Sequence, residues 1–293
     1  MTATTPTLVE RAPEHRRLAG RLAIHGGIRA GIAAAVIVLL LVGLLVNWVL
    51  AAIVAVVAGV AAGVGYSMLV RAAAVPGLLR FLQVQTADPL EHARYRNLVE
   101  GLCITSGIDE PELFVVDEER PNVMVLGQPG EAAIVVTTGL LSTLNRVELE
   151  GVIAEALARI RSFEAHLGSQ AAAFVCGSLL RNGPVIAGRP MWMVAPLSGW
   201  RSRRLRHVLD ADRHLLADFA AVALTRYPPG LRDALVKMQD VGTVVTDCPW
   251  GAAHLWMCDP LADVAEGTTE ARLNREFRTH PPIQHRIELL DQL

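Results

Sequence analysis

The chain has 293 residues, a formal net charge of −2 and 52% apolar residues, with a mean hydropathy of +0.36. So small a net charge excludes a charge-driven nucleic-acid binder, and the apolar excess points to membrane-embedded segments. The four cysteines (Cys103, Cys176, Cys248, Cys258) are scattered, which fits buried thiols in a reducing compartment rather than a disulfide framework.

Between Arg29 and Arg71 no residue is charged. One helix crosses a bilayer with about 20 apolar residues, so this run predicts two spans, near 28–46 and 49–70, with a tight turn at Asn47 and Trp48. Arg11, Arg16, Arg17, Arg21 and Arg29 precede the run, and Arg71 and Arg80 follow it. Basic flanks on both sides predict that both ends face the cytoplasm. Gly59 and Gly63 stand in GxxxG register, a small-residue face able to pack against the first span or a partner. The expected division is a cytoplasmic segment 1–27, a hairpin 28–72 and a cytoplasmic domain 73–293.

Beyond Arg80 the sequence turns globular. Residues 89–107 predict an amphipathic helix closed by Gly107. "PELFVVD" (111–117), "NVMVLG" (122–127) and "AAIVVTTG" (132–139) predict three strands. Gly127, Pro129 and Gly130 predict a hairpin between the last two. Residues 140–168 carry helix signals: Asn145 as N-cap with Glu148 three positions on, a capping box, an apolar stripe at Leu149, Val152, Ile153, Ala156 and Ile160, and Gly168 as the stop. Segments 169–180 and 185–200 read as buried or membrane-adjacent; the first is too short to span. The cluster "RSRRLR" (201–206) fits anionic headgroups or a solvated helix face. Cys248, His254 and Cys258 match no common zinc spacing and read as packed core. His280 reads as structural and His285 as surface.

Taken together, "RYRNLVEGL", "PELFVVD", "PNVMVLG" and "IVVTTGLLSTLNRVELEGVIAEALARI" resemble the HtpX-like membrane zinc metallopeptidases, a family that also holds the CaaX prenyl proteases. "DRHLLADFAAVALTRYPPGLRDALVKM" (212–238) and "THPPIQHRIELL" (279–290) match its later blocks in order, so the resemblance covers about Arg94 to Leu290. It implies an α+β fold: the transmembrane hairpin, then a zincin-like, gluzincin-type domain, mostly helical with a small mixed sheet. It also implies a bacterial inner-membrane location and a role in membrane-protein quality control.

In that family one helix carries HExxH, two His for zinc and a Glu that activates water, with a third ligand, a Glu, on a later helix. Here the first His falls on Glu155, the Glu on Ala156, the second His on Arg159 and the third ligand on His214; an acidic residue after the zinc helix falls on Glu164. Glu155 and His214 are the two remaining candidate ligands, with Glu164 or His166 as possible recruits, and Arg159 sets a permanent charge where the ion would sit. No metal or other cofactor is expected. The resemblance in this altered form implies a pseudoprotease that binds peptide segments, membrane proteins, an active protease or a scaffold at the bilayer, with no nucleic acid. The alternative is an active zinc metalloendopeptidase with non-standard ligands, so enzyme status stays open. Glu155 and Arg159, at i and i+4, predict an internal ion pair with His214 or Glu164 as further partners. In the family fold the strand before the zinc helix binds substrate as an added strand, which implies a peptide-binding edge at Ala133, Ile134, Val135, Val136 and Thr137.

Overall fold

A computed structural model describes all residues except 1–6, 46, 129, 181–194, 247 and 264. Two long helices open the chain, α1 (Ala12–Leu45) and α2 (Trp48–Phe81). Asn47 caps α2 by accepting a hydrogen bond from the Val49 amide at 2.7 Å, while Trp48, expected in the turn with it, is the first residue of the helix. The glycines set the approach of the two helices. A Cβ on Gly31 would meet the Gly59 carbonyl at 2.6 Å, and one on Gly63 the Gly27 carbonyl at 2.6 Å. The small-residue face therefore packs against the first helix, and Ser67 Oγ donates to the Ala23 carbonyl at 3.0 Å. Both helices are long and apolar enough to cross a membrane, and Ile32, Leu44, Val57 and Val60 lie exposed on them.

The helices run further than the uncharged stretch, which set the expected ends near 28 and 70. In the added turns Ala19, Leu22, Val75 and Leu78 are buried, joined to one core with Leu167, Ala171 and Ala172. These turns alternate Arg with Leu and Ala, the pattern of a helix with one buried face.

Next come β1 (Gln85–Thr86), α3 (Ala93–Ser106), β2 (Glu112–Val116), β3 (Val123–Gln128) and β4 (Glu131–Thr137). Gly107 ends α3 with φ 65°, a left-handed cap suited to glycine. The predicted hairpin forms: β3 and β4 pair antiparallel with Val125 opposite Ile134, turning at Gly130 with φ 83°. The sheet order is β1-β2-β4-β3, with β2 and β4 parallel. This overturns the peptide-binding edge placed at Ala133, Ile134, Val135, Val136 and Thr137. β4 is interior, bonded by β2 on one side and β3 on the other, and its apolar run is that of a strand covered on both faces. The outer strands are β1 and β3, and part of the free edge of β3 is taken: Met124 bridges Trp256, and the Met257 amide donates to the Val123 carbonyl at 2.8 Å.

Strand residues alternate between two cores. Val123, Val125, Ile134 and Val136 join the core of α3 and the helices of one face. Met124, Leu126, Ala133 and Val135 join the core that takes in the hairpin ends. The stretch 140–168 is not one helix. It contains the end of α4 (Thr138–Thr143), then α5 (Arg146–Arg161) and the start of α6 (Glu164–Leu180). The Asn145–Glu148 capping box is present. The break lies at Ser162–Phe163, where Phe163 takes φ 59°, and Gly168 sits inside α6 under Leu255, not at a helix end. Residues 169–176 are largely buried in α6, while 181–194, with Arg189, Pro190, Trp192 and Met193, fall outside the described residues. The chain closes with α7 (Ala195–Val208), α8 (Arg213–Thr225), α9 (Pro228–Val241), a 3-10 turn (Trp250–Leu255), α10 (Thr269–Phe277) and α11 (Ile283–Leu290). "RSRRLR" lies in α7, with the Arg204 guanidinium over the Trp200 ring at 5.3 Å.

Candidate functional site

Helix α5 carries Glu155, Ala156 and Arg159 into the interior, and α8 brings Arg213, His214 and Asp218 against it. Glu164 arrives at the start of α6, Leu255 and Trp256 from the 3-10 turn, and His280 and Arg286 from the C-terminal segment. Glu155 is 0% exposed, Arg159 1% and Glu164 2%, which rules out solvated helix residues.

Arg159 Nε donates to Glu164 Oε2 at 2.7 Å, and Nη1 donates to the Leu255 carbonyl at 3.1 Å. Arg213 Nε lies 3.4 Å from the other oxygen of Glu164. The expected internal pairing of Arg159 exists, but with Glu164 rather than Glu155. The Ser162–Phe163 turn folds Glu164 back beneath the guanidinium, while Glu155 Oε1 instead lies 3.9 Å from His214 Nδ1. Among the described residues, neither carboxylate oxygen of Glu155 and neither ring nitrogen of His214 has a hydrogen-bond partner.

Burial and charge divide these groups. Burial pushes Glu155 up to about 7, against the pull of Arg159 and Arg286. Burial, then the Arg213 cation, lowers His214 well below the ordinary imidazole range, so it is neutral, and its contact with Glu155 is not an ion pair. Burial acts against the charge of Glu164 too, yet Arg159 and Arg213 outweigh it and hold its pKa down. Glu164 and Glu155 likewise outweigh burial at Arg159 and raise its pKa. Burial lowers Arg213 to about 10, which still leaves it cationic near neutral pH.

Around this centre, Arg286 grips Asp218 with Nε–Oδ2 at 2.8 Å and Nη2–Oδ1 at 2.6 Å, and its Nη1 donates to the Met257 carbonyl at 2.8 Å. The His280 ring lies 4.7 Å from that of His214 and donates through Nε2 to the Trp256 carbonyl at 2.9 Å, the structural role expected of it. His254 Nε2 donates to the Gly168 carbonyl at 3.0 Å. Cys248, His254 and Cys258 are each buried, and all four cysteines are free. His285 is exposed. Arg213, Asp218, His254 and Arg286 were not singled out from the sequence as site residues. Three of them stand inside the quoted blocks "DRHLLAD" and "THPPIQHRIELL", which was the available signal.

The residues do not fit zinc. A catalytic site needs three protein ligands plus water; here Glu155 and His214 remain, and Glu164 is engaged by two arginines. Burial, with the charges of Arg71 and Arg16, lowers the pKa of His166, and its Nδ1 has no hydrogen-bond partner among the described residues. Among the described residues no three His, Cys, Asp or Glu side chains converge as a ligand set. A guanidinium about 4 Å from a divalent ion would repel it by several kcal/mol at an effective dielectric near 20. Ala156 has no group to take a proton from water, a role worth about 10² to 10⁴ in rate.

Residues 89–293 match peptidase family M48. Proteins named "Protease HtpX homolog" are similar: that of Dictyoglomus turgidum is 33% identical over 230 residues, covering 73% of each chain. That of Dictyoglomus thermophilum is 32% identical over the same span and coverage. That of Limosilactobacillus fermentum is 30% identical over 240 residues, covering 72% of this chain and 76% of the relative. No solved structure matches the chain. With two apolar helices packed on an α+β domain of this kind, the chain belongs to peptidase family M48 as an HtpX-like membrane protein.

Proposed function

We propose that this protein is a membrane-anchored, non-cleaving member of its family. The hairpin 28–72 spans the bacterial inner membrane, and residues 1–27 and 73–293 lie in the cytoplasm, following the basic flanks at Arg29 and Arg71. It works by holding a partner at the bilayer: a membrane protein, an unfolded segment of one, or an active protease or scaffold, in the setting of membrane-protein quality control. It takes no zinc and no nucleic acid. Strand addition on β4 is not part of the reading, since both sides of that strand are paired.

One observation carries the proposal. The guanidinium of Arg159, at the position of the second HExxH histidine, is buried in a bond to Glu164 at 2.7 Å, beside an alanine where a general base would stand. The test is metal content. The protein, purified in mild detergent, is treated with chelator, returned to zinc and dialysed. Wild type retains no zinc, whereas E155H/A156E/R159H/H214E retains about one equivalent. One tightly held zinc in wild type would overturn the proposal.

A further inference from the structure

The two helices of the hairpin leave a groove between them. It has a volume of about 580 Å³ and is lined by Ile24, Ile28 and Ile32 of α1 and by Val60, Val64 and Met68 of α2, with Arg71 at one end. The contacts at Gly27–Gly63 and Gly31–Gly59 draw the backbones together and leave the branched side chains as walls. From Ile24 to Ala35, at 1.5 Å per residue, the groove runs roughly 16 Å; its stretch beyond Arg29 lies within the uncharged run, and its Ile24 end reaches toward the globular domain. It starts beside the charged ends of the spans, at Arg71, and stops near the middle of each apolar run, at Ala35 and Val56.

Arg71 is half-buried. Arg16 lies at the same junction, its guanidinium over the Phe163 ring at 3.6 Å. After burial, both arginines lower the pKa of His166, so their charges act on the same ring. Neither Arg16 nor Arg71 forms an ion pair with a carboxylate among the described residues. The place combines an apolar slot that runs into the expected span with unneutralised positive charge at its mouth.

We infer that this groove binds one acyl chain of an anionic phospholipid from the leaflet nearest the globular domain, with the phosphate held at Arg71. Charge complementarity selects the occupant. A partner's transmembrane helix would fill the apolar slot but bring no anion to Arg71, and a zwitterionic lipid would bring a choline along with its phosphate.

Native mass spectrometry of the full chain from mild detergent, titrated with equal phosphatidylglycerol and phosphatidylcholine, tests this independently of cleavage and zinc. Wild type retains phosphatidylglycerol about fivefold more than phosphatidylcholine, the factor expected for one arginine near a headgroup. R71Q abolishes the preference, and R71K keeps most of it. V64F, at an exposed wall position, lowers retention of both lipids by filling the slot. Helicity and thermal melting confirm that each variant is folded. Millimolar inorganic phosphate leaves the lipid bound. Equal retention of the two lipids by wild type, a preference that survives R71Q, unaltered retention in V64F, or displacement by phosphate would each overturn the inference.

Discussion

Arg159 and Glu164 form the pair on which the interior depends. Removing one partner of a buried ion pair leaves an uncompensated charge and costs about 3–5 kcal/mol, so Arg159→Ala lowers stability by that order in chemical denaturation; an unchanged midpoint would mean that the pair is worth little. Glu155 gives a second prediction. Burial raises its folded pKa to about 7 from the ordinary 4.5, so the folded state holds a proton that the unfolded chain has lost. Stability from this group therefore falls as pH rises from about 4.5 to about 7 and stays lower above it. Glu155→Gln removes that slope, and thermal melts of the variant exceed wild type at pH 8 by on the order of 3 kcal/mol while matching it near pH 4.5. That Glu155, Ala156 and Arg159 share one helix was legible at this scale, because the capping box and the apolar stripe mark that helix in the sequence. The partner of Arg159 was not. Glu155 stands at the favoured helical spacing, and only the bend at Phe163 turns the guanidinium toward Glu164.

The site stands where it does because α5 crosses its neighbours closely. A Cβ on Gly151 would meet the Leu231 amide nitrogen at 2.7 Å and its Cα at 2.9 Å, backbone atoms of α9 that cannot rotate away. Gly151→Ala therefore forces the helices apart and costs about 1–3 kcal/mol, read as a lowered melting temperature; a neutral effect would contradict the packing. Local elements were readable where their signals are local: the capping box at Asn145, the β3–β4 turn at Gly130 and the cap at Gly107. The sheet order was not. The β2–β4 pairing is parallel and skips a strand, so nothing in the sequence between them marks β4 as interior. The apolar run 132–137 fits an edge or a centre equally well. The break between α5 and α6 was hidden for a similar reason, since Phe163 adopts a left-handed conformation that its residue type does not announce.

Across the whole molecule, α1 ties the site to the membrane as one continuous helix. His15 Nδ1 donates to the Ser162 carbonyl at 2.8 Å, so the first turn of α1 braces the bend that positions Glu164, and Arg11 just before it pairs with Asp210. The spans were legible from an uncharged run alone. Their continuation into the domain was not, because residues 12–29 read as a charged tail until α6 is there to cover Ala19 and Leu22. With basic flanks on both sides, reporters fused at the N-terminus and after Leu293 both report a cytoplasmic location; opposite locations would contradict the hairpin topology. The central claim is that a guanidinium and an alanine leave this member of the family without hydrolytic chemistry. Incubation of the purified full chain with an unfolded polypeptide and zinc, with and without chelator, tests it most directly: the account predicts no cleavage in either arm, and cleavage that the chelator abolishes would contradict it.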